Sequence, residues 1–335
     1  MATFTAIKEN PVIDEIHITL DELIGDTSSL LKEEKYITIK GLQLYAVNYY
    51  SKDYASTKGF IIGLHGGPSC CHNYILPLKL LALEGYSVIF YDQIGCGKSS
   101  FVSDPENLCP WLLTLEYYVE ELKIVIDSYQ LLSYYLYGSS WGTMLATEFA
   151  VKQEIANGLK GLILDGALAD SNLYIKTQWR DRISTLPTYT QNLLKKLTEE
   201  KKFDDPIYIY LDDMLSKHFI CRTLPPVDEY IYSMRYMNPT IYKLMQGESE
   251  FTTGGVFTDW SIVDRLHLIS VPVLVLAGEY DTMTIECQQQ LVDHLQYAWP
   301  LVVIPRASHC KLLEEPFLCN DAMKKFLNTI ENISR

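Results

Sequence analysis

Six short, uninterrupted apolar segments constrain the fold of this chain more than any other feature. Each has the length of a strand, and between them the apolar residues recur at i, i+3 and i+4, as in amphipathic helices. Continuous apolar strands are typical of a parallel sheet that is buried on both faces. The segments are residues 59–64, 86–91, 134–137, 161–164, 271–276 and 301–304.

A different pattern precedes the first apolar segment. Residues 35–49 alternate between apolar and polar side chains on either side of Lys40-Gly41, which predicts an antiparallel hairpin with one buried face. The chain is therefore predicted to form an α/β fold with a mainly parallel central sheet that has an antiparallel start. The predicted helices are residues 76–83, 115–129, 143–152, 285–295 and 317–330.

The alternation of strands and helices stops between residues 170 and 260. This region is rich in tyrosine, lysine and acidic residues, and it has helical patterning at 189–202, 207–218 and 228–246. Strand character returns at Val271, so the region is an insertion into one sheet domain. We predict a core of residues 1–169 and 261–335 with an inserted helical lid of residues 170–260.

Composition narrows the possible partners and the location. The chain has 28 Lys and Arg against 42 Asp and Glu, a formal charge of −14 that would repel nucleic acid and anionic membranes. The apolar segments are far shorter than the about 18–20 residues of a membrane span. Residues 1–14 lack the apolar stretch of a secretory signal, and the eight cysteines contain no paired CxxC zinc pattern. We expect a cytoplasmic protein with free thiols and no metal.

The segment Gly138-Ser139-Ser140-Trp141-Gly142 directly follows one apolar strand and directly precedes a helix. A GxSxG sequence in this setting is typical of a nucleophile elbow, in which the central serine is exposed at a sharp turn. The glycines leave room where the strand turns abruptly into the helix. Ser140 is therefore the candidate nucleophile.

A serine nucleophile needs a base, and the base needs an acid to orient it. Asp281 follows the strand at 271–276, and His309 follows the strand at 301–304, which is the chain order expected after such an elbow. Glu279 remains an alternative acid. The other histidines are interpreted as structural or solvated: His17, His65, His72, His218, His267 and His294.

The sequence His65-Gly66-Gly67-Pro68 follows the first apolar strand. Two glycines there would let backbone N–H groups approach a reacting carbonyl, although a simple tight turn would use them equally well. We predict an oxyanion hole formed by the amides of Gly67 and Trp141.

Five ordered motifs together resemble the proline iminopeptidase family of the α/β-hydrolases, which includes the tricorn-interacting aminopeptidase. They are HGGP at 65–68, DQxGCGxS at 92–99, GSSWG at 138–142, GEYD at 278–281 and SH at 308–309. In the lid, MQGESEFT at 245–252, followed by Asp259-Trp260, is similar to the family's G-P-[NS]-E-F-T…DW segment. The resemblance implies an α/β-hydrolase fold and assigns Glu250 to binding the free α-amine of the substrate.

Three departures from the family pattern affect this expectation. Glu248 stands at the position of the family's proline, and GSSWGT replaces GQSWGG at the elbow. The family's second amine-binding glutamate has no position that can be aligned. The candidates for that second carboxylate are Asp212, Asp213 and Glu229.

These observations predict a serine hydrolase that needs no cofactor. The favoured reaction removes an N-terminal proline or other apolar residue from short peptides or amino-acid amides. An alternative keeps the same catalytic groups but acts as an amidase, esterase or thioesterase on a specialised metabolite. A third possibility is a binding protein that retained the fold without turnover.

Overall fold

The computed structural model describes residues 17–53 and 57–333, so the expectation about a secretory signal at residues 1–14 concerns a segment outside the described residues. Within the described residues eight strands form one sheet, in the order β1-β2-β4-β3-β5-β6-β7-β8. The strands are β1 (Leu30–Ile39), β2 (Leu42–Ser51), β3 (Phe60–Leu64), β4 (Ser87–Tyr91), β5 (Tyr134–Ser139), β6 (Leu159–Asp165), β7 (Val273–Gly278) and β8 (Val302–Ile304).

The sheet begins with an antiparallel hairpin and continues as a parallel sheet. β1 and β2 pair around Lys40 and Gly41, which both have positive φ, and β2 pairs antiparallel with β4. The remaining pairs, from β4 through β3, β5, β6 and β7 to β8, are all parallel. This confirms the predicted mainly parallel sheet. Because parallel strands end at the same edge, the loops that follow β3, β5, β6, β7 and β8 meet on one side of the molecule.

Helices cover both faces of the sheet. Successive residues of β5 enter different cores, because side chains of a strand alternate between its faces: Leu136 packs on the side of α3 and α4, and Tyr137 on the side of α12. The helices are α1 (Leu20–Ile24), α2 (Pro105–Leu108), α3 (Leu115–Ser128), α4 (Trp141–Val151), α5 (Ser171–Thr177), α6 (Thr188–Glu199), α7 (Pro206–Phe219), α8 (Asp228–Arg235), α9 (Pro239–Met245), α10 (Ile285–His294), α11 (Lys311–Glu314) and α12 (Pro316–Ile333). Among the described residues, no helix combines the length and hydrophobicity that crossing a bilayer would require.

The predicted helix at 76–83 is wrong in type. Residues His72–Glu84 form tighter 3₁₀ turns that end at Gly85, where the backbone is left-handed with φ 96°. Pro77 lies inside this segment and lacks the N–H that an α-helix would use there. Most of its side chains are buried, so tertiary packing holds a winding that is unfavourable over so many residues.

Helices α5 to α9 lie between β6 and β7, within the predicted lid. α6 and α7 contribute most of a small apolar core of the lid itself, which includes Leu197, Leu211 and Phe219. The helix predicted over 228–246 is two helices, α8 and α9, because Pro239 cannot continue a helix from the residues before it. Asn238 caps α9 and also donates to the carbonyls of Gly95 and Val102 in the core, at 2.9 Å each.

The lid is also joined to the loops that follow β7 and β8. The Phe219 carbonyl, at the end of α7, accepts the N–H of Thr282 at 3.1 Å and the N–H of His309 at 3.2 Å. The next carbonyl, of Ile220, accepts the N–H of Cys310 at 2.8 Å. The backbone of the lid thus supports the loops that carry the candidate acid and base.

Candidate active site

Ser140 lies at a sharp turn between β5 and α4. Its φ of 55° and ψ of −122° are uncommon for a residue with a side chain, and its N–H donates to the Asp165 carbonyl at 2.9 Å. A Cβ on Gly138 would collide with the Gly142 carbonyl, and a Cβ on Gly142 would collide with the Leu64 carbonyl. Only glycines fit at these two positions, and the strand–turn–helix setting predicted for the GSSWG motif is present.

The predicted acid and base lie side by side. His309 Nδ1 is 2.7 Å from Asp281 Oδ1, and Asp281 is fully buried while His309 is 8% exposed. The same carboxylate oxygen accepts the N–H of Met283 at 2.9 Å. Glu279, the alternative acid, is exposed and accepts the N–H of Arg306 at 2.8 Å instead. With Nδ1 engaged by Asp281, Nε2 is the ring nitrogen of His309 that remains for proton transfer.

Burial and charge act in opposite directions on both groups. Burial alone would lower the pKa of His309, but the charge and hydrogen bond of Asp281 outweigh it, so the pKa lies above 6.5. Burial alone would raise the pKa of Asp281, but the positive charges of Lys311 and His309 hold it below its usual range. Asp281 is therefore ionised at neutral pH and fixes the tautomer of His309.

Lys311 is a residue of the site that the sequence analysis missed. Its ammonium is fully buried, 2.6 Å from Asp281 Oδ2 and 2.7 Å from Asp165 Oδ1. A buried lysine is almost always paired with a carboxylate. Its position in the sequence could have indicated this role, because Lys311 is a charged residue two places after His309, at the start of an apolar helix.

Ser140 and His309 line one cavity of about 280 Å³ between the core and the lid. Its lining is apolar and acidic: it includes Met234 and Met237 together with three carboxylates, and none of the described lysines or arginines contributes to it. The carboxylates are those of Asp212, Glu248 and Glu250.

The predicted oxyanion residues flank Ser140. Gly67 lines the cavity, and its φ of 117° belongs to the region that favours glycine. A Cβ on Gly67 would collide with the backbone nitrogens of Ser69 and Cys70. A second, narrower crevice is lined by Gly67, Ser140 and Trp141 together.

Glu250 lies in the cavity wall, where three lid side chains hold its carboxylate. Oε1 accepts the hydroxyl of Tyr242 at 2.7 Å, and Oε2 accepts the amide of Gln246 at 3.1 Å. The Tyr174 hydroxyl lies 3.0 Å from Oε2 and 2.6 Å from the Glu250 carbonyl, and its proton is shared between them. In the described part of the chain no cation forms an ion pair with it. The carboxylate is oriented but not neutralised.

The structure separates the three candidates for a second carboxylate. Asp212 lines the cavity, and burial raises its pKa to about 6 against a lowering hydrogen bond from Ser249, with the charge of Glu250 adding to the rise. Asp213 is exposed and pairs with Lys217 at 2.7 Å. Glu229 is absent from the cavity lining.

Glu248, which replaces the family's proline, also lines the cavity. Its carboxylate forms an ion pair with Lys243 at 2.5 Å, an exposed lysine of α9. Unlike Glu250, it is already matched by a positive charge.

Comparisons with known proteins identify the family. The family described as "Serine aminopeptidase, S33" matches residues 55–316. Proline iminopeptidase from Thermoplasma volcanium is 33% identical over 300 residues, covering 88% of this chain and 96% of that protein. The one from Saccharolobus solfataricus is 30% identical over 316 residues, covering 91% and 96%.

Two solved structures support the same conclusion. The crystal structure of proline iminopeptidase from Mycobacterium smegmatis aligns with a TM-score of 0.81 and 29% identity, over 90% of this chain and all of that chain. The crystal structure of VinJ aligns with a TM-score of 0.81 and 26% identity, over 89% and 99%. The predicted resemblance and fold are thus confirmed: the chain belongs to the serine aminopeptidase family S33, has the α/β-hydrolase fold and is a hydrolase of the proline iminopeptidase type.

Proposed function

We propose that the protein removes an N-terminal proline or other apolar residue from short peptides or amino-acid amides through an acyl-enzyme. One observation carries this proposal: Ser140, His309 and the un-neutralised carboxylate of Glu250 line the same cavity. A nucleophile close to an amine-binding carboxylate favours substrates whose free amine is next to the bond that is cleaved.

The chemistry follows from the pairing of His309 with Asp281. Ser140 Oγ attacks the substrate carbonyl while His309 Nε2 takes its proton, and Asp281 stabilises the imidazolium that forms. His309 then returns the proton to the leaving amine. Water, activated by the same histidine, hydrolyses the acyl-enzyme and releases the N-terminal residue.

Backbone amides are proposed to stabilise the negative charge that develops on the substrate oxygen. The N–H groups of Gly67 and Trp141, on either side of Ser140, are assigned to the oxyanion of the tetrahedral intermediate. Donors fixed in advance at that point lower the barrier without having to reorganise during the reaction. The strained turn at Ser140 and the positive φ of Gly67 support this assignment, since both are backbone conformations that the surrounding contacts must maintain.

The lid supplies substrate selection. Glu250 and Asp212 are assigned to the substrate ammonium, with Glu250 as the principal partner because three donors already orient it. A cation entering this cavity gains charge-assisted hydrogen bonds. A substrate carboxylate in the same place would be repelled by these two acidic groups, which favours the amino end of a peptide.

A second candidate keeps the catalytic groups and changes the acyl group, giving an amidase, esterase or thioesterase that acts on a specialised metabolite. Two observations favour it. Glu248 stands where the family has proline, and the cavity lining includes Met234 and Met237, flexible side chains that adapt to varied shapes.

A substrate panel separates the two candidates. Prolyl and leucyl arylamides are compared with their N-acetylated forms and with simple aryl esters. Because acetylation removes the positive charge, we expect kcat/KM to fall by at least about 30-fold, equivalent to about 2 kcal/mol. Equal rates with and without the acetyl group would reject the aminopeptidase proposal in favour of the second candidate.

We also propose that the protein works in the cytosol. All eight cysteines are free thiols, as expected where cellular reductants prevent disulfides. Cell fractionation followed by detection of the protein tests this location.

A further inference from the structure

The proposed mechanism uses Ser140, Asp281 and His309 but leaves Lys311 without a role. Lys311 opens α11, and its ammonium joins two carboxylates from different parts of the sheet: Asp165 at the end of β6 and Asp281 in the loop after β7. Burying three charges is costly unless each is well paired. A structural role alone would be met at least as well by apolar side chains, so this arrangement calls for another explanation.

The two oxygens of Asp281 have different partners. Oδ1 faces His309 and the N–H of Met283, whereas Oδ2 faces Lys311 at 2.6 Å and the amide of Gln288 at 3.4 Å. Lys311 thus acts on the opposite side of the carboxylate from the histidine. A rotation of the carboxylate that would break the contact with His309 would also break the contact with Lys311.

Asp165 has a second polar partner besides Lys311. Its Oδ2 accepts a very short hydrogen bond from the hydroxyl of Tyr137 on β5. Its Oδ1 faces the ammonium of Lys311 at 2.7 Å. Other charged or titratable groups influence this cluster from α12 and from the lid: Cys319, Arg182 and Glu250.

The charges in this cluster balance when His309 is protonated. With neutral His309, the two carboxylates and Lys311 sum to one negative charge. When His309 takes the proton of Ser140, the sum becomes zero. Without Lys311 the two buried carboxylates would lack the cation that joins them, and without Asp165 the single charge of Asp281 would have to balance both Lys311 and the imidazolium.

We propose that Lys311 is a positioning residue, held by Asp165, that orients Asp281 and adjusts how strongly His309 attracts a proton. This inference rests on the proposed Ser140–His309–Asp281 triad and adds a second buried pair behind it. Lys311 and Asp165 contact neither substrate nor the reacting atoms. They act through Asp281 and through the His309 carbonyl, which accepts a hydrogen bond from the Lys311 ammonium at 3.3 Å.

The two members of the pair should have opposite effects on the pH profile. Lys311→Met removes the positive charge that competes with His309 for Asp281, so the pKa of His309 rises. Asp165→Asn leaves the positive charge of Lys311 without its second partner, so the pKa of His309 falls. We expect shifts of about one pH unit in opposite directions, typical of charges at this range.

The experiment measures inactivation by diisopropyl fluorophosphate, which requires no knowledge of the natural substrate. Ser140 Oγ forms a bond to phosphorus, fluoride leaves, and the serine proton passes to His309, so the rate reports the fraction of neutral His309. Second-order rate constants are measured between pH 5 and 9 for wild type, Lys311→Met, Asp165→Asn and the double variant. The matched control is Lys324→Met, which removes a lysine of α12 that pairs with Glu84 far from the cluster.

The expected result is a midpoint above wild type for Lys311→Met, below wild type for Asp165→Asn, and unchanged for Lys324→Met. If Lys311→Met fails to fold, Asp165→Asn still tests the proposal, because Lys311 keeps its contact with Asp281. A loss of rate with no shift of the midpoint, or shifts in the same direction, would overturn the role of Lys311. Labelling that persists in Ser140→Ala would instead overturn the triad on which the inference rests.

Discussion

The core and the lid position their functional side chains by different means. In the core, Ser140, Asp281 and His309 each follow a parallel strand, so the backbone of the sheet brings them together. In the lid, Glu250 lies in an irregular loop after α9 and is oriented by the side chains of Tyr174, Tyr242 and Gln246. The backbone of the sheet places the groups of the core, whereas side chains orient Glu250 in the lid. In the proposed function, the core carries out the reaction and the lid selects the substrate.

The charges of the two regions differ in the same way. Asp281 is fully buried and paired on both oxygens, so its ionisation is fixed across the physiological range. Asp212 has no ion-pair partner among the described residues, and its pKa is raised to about 6. A constant negative charge suits Asp281, which is proposed to orient His309 in every catalytic cycle. An unpaired carboxylate suits Asp212, whose proposed partner is the ammonium of the substrate.

The largest expected effect tests the core. Ser140→Ala removes the nucleophile and should lower kcat by about 10⁴ to 10⁶ on every substrate that the enzyme accepts. One hydroxyl contributes little to packing, so the thermal midpoint should stay close to that of wild type. Steady-state kinetics and a circular dichroism melt provide the two measurements. Retention of more than a tenth of the activity would mean that another residue is the nucleophile.

A smaller and more selective effect tests the lid. Glu250→Gln keeps the shape of the side chain but removes its charge, and losing one member of a buried charge pair costs about 2 to 5 kcal/mol. We therefore expect kcat/KM to fall by roughly 30- to 5,000-fold on aminoacyl arylamides. Aryl esters without an amine are the internal control and should lose little. Equal losses on both substrate classes would show that Glu250 supports the structure of the lid and does not bind the amine.

The smallest effect compares two neighbouring residues of α7. Asp212→Asn should lower kcat/KM on aminoacyl arylamides by about tenfold, whereas Asp213→Asn, on the exposed side, should leave it unchanged. The pH dependence of the rate provides a second measurement. Asp212 must be ionised and His309 neutral, so between pH 7 and 5 the wild-type rate on amines should fall as two groups gain protons.

In Asp212→Asn, or with neutral esters, the same fall should follow a single group, His309, whose pKa lies above 6.5. Protonation of Asp212 and protonation of His309 both lower the rate, so the two groups change the rate in the same direction as the pH falls. A two-proton dependence that survives Asp212→Asn would show that a different acid titrates with the histidine.

The parts of the site that follow strand order could be predicted from the sequence. Ser140, Asp281 and His309 were identifiable because a parallel sheet turns position along the chain into position at one edge. The side of α7 that faces the cavity could not be read in this way, since Asp212 and Asp213 are adjacent and both are compatible with a helix surface. Lys311 was missed because its partners, Asp165 and Asp281, are far from it in sequence and only the folded sheet brings them close.

The fold shows the same division. The hairpin and the parallel order followed from side-chain periodicity, which reports burial. Periodicity did not predict the 3₁₀ turns of His72–Glu84 or the break before Pro239. The apolar spacing of a tightly wound segment, or of two short helices, resembles that of one regular helix. In both segments a proline was the local signal that outweighed the periodicity.

The hydrogen bonds from the carbonyls of Phe219 and Ile220 to the loops after β7 and β8 have a consequence for how such enzymes diverge. A lid that shares backbone hydrogen bonds with the acid and base is not a detachable module. Exchanging residues 170–260 for a lid with a different path at Phe219 and Ile220 would remove the carbonyls that accept from His309 and Cys310, and would disturb the position of the base along with the selectivity. New specificities should arise more readily by single substitutions on the inner faces of α7 to α9, with the chain path at Phe219 and Ile220 left in place.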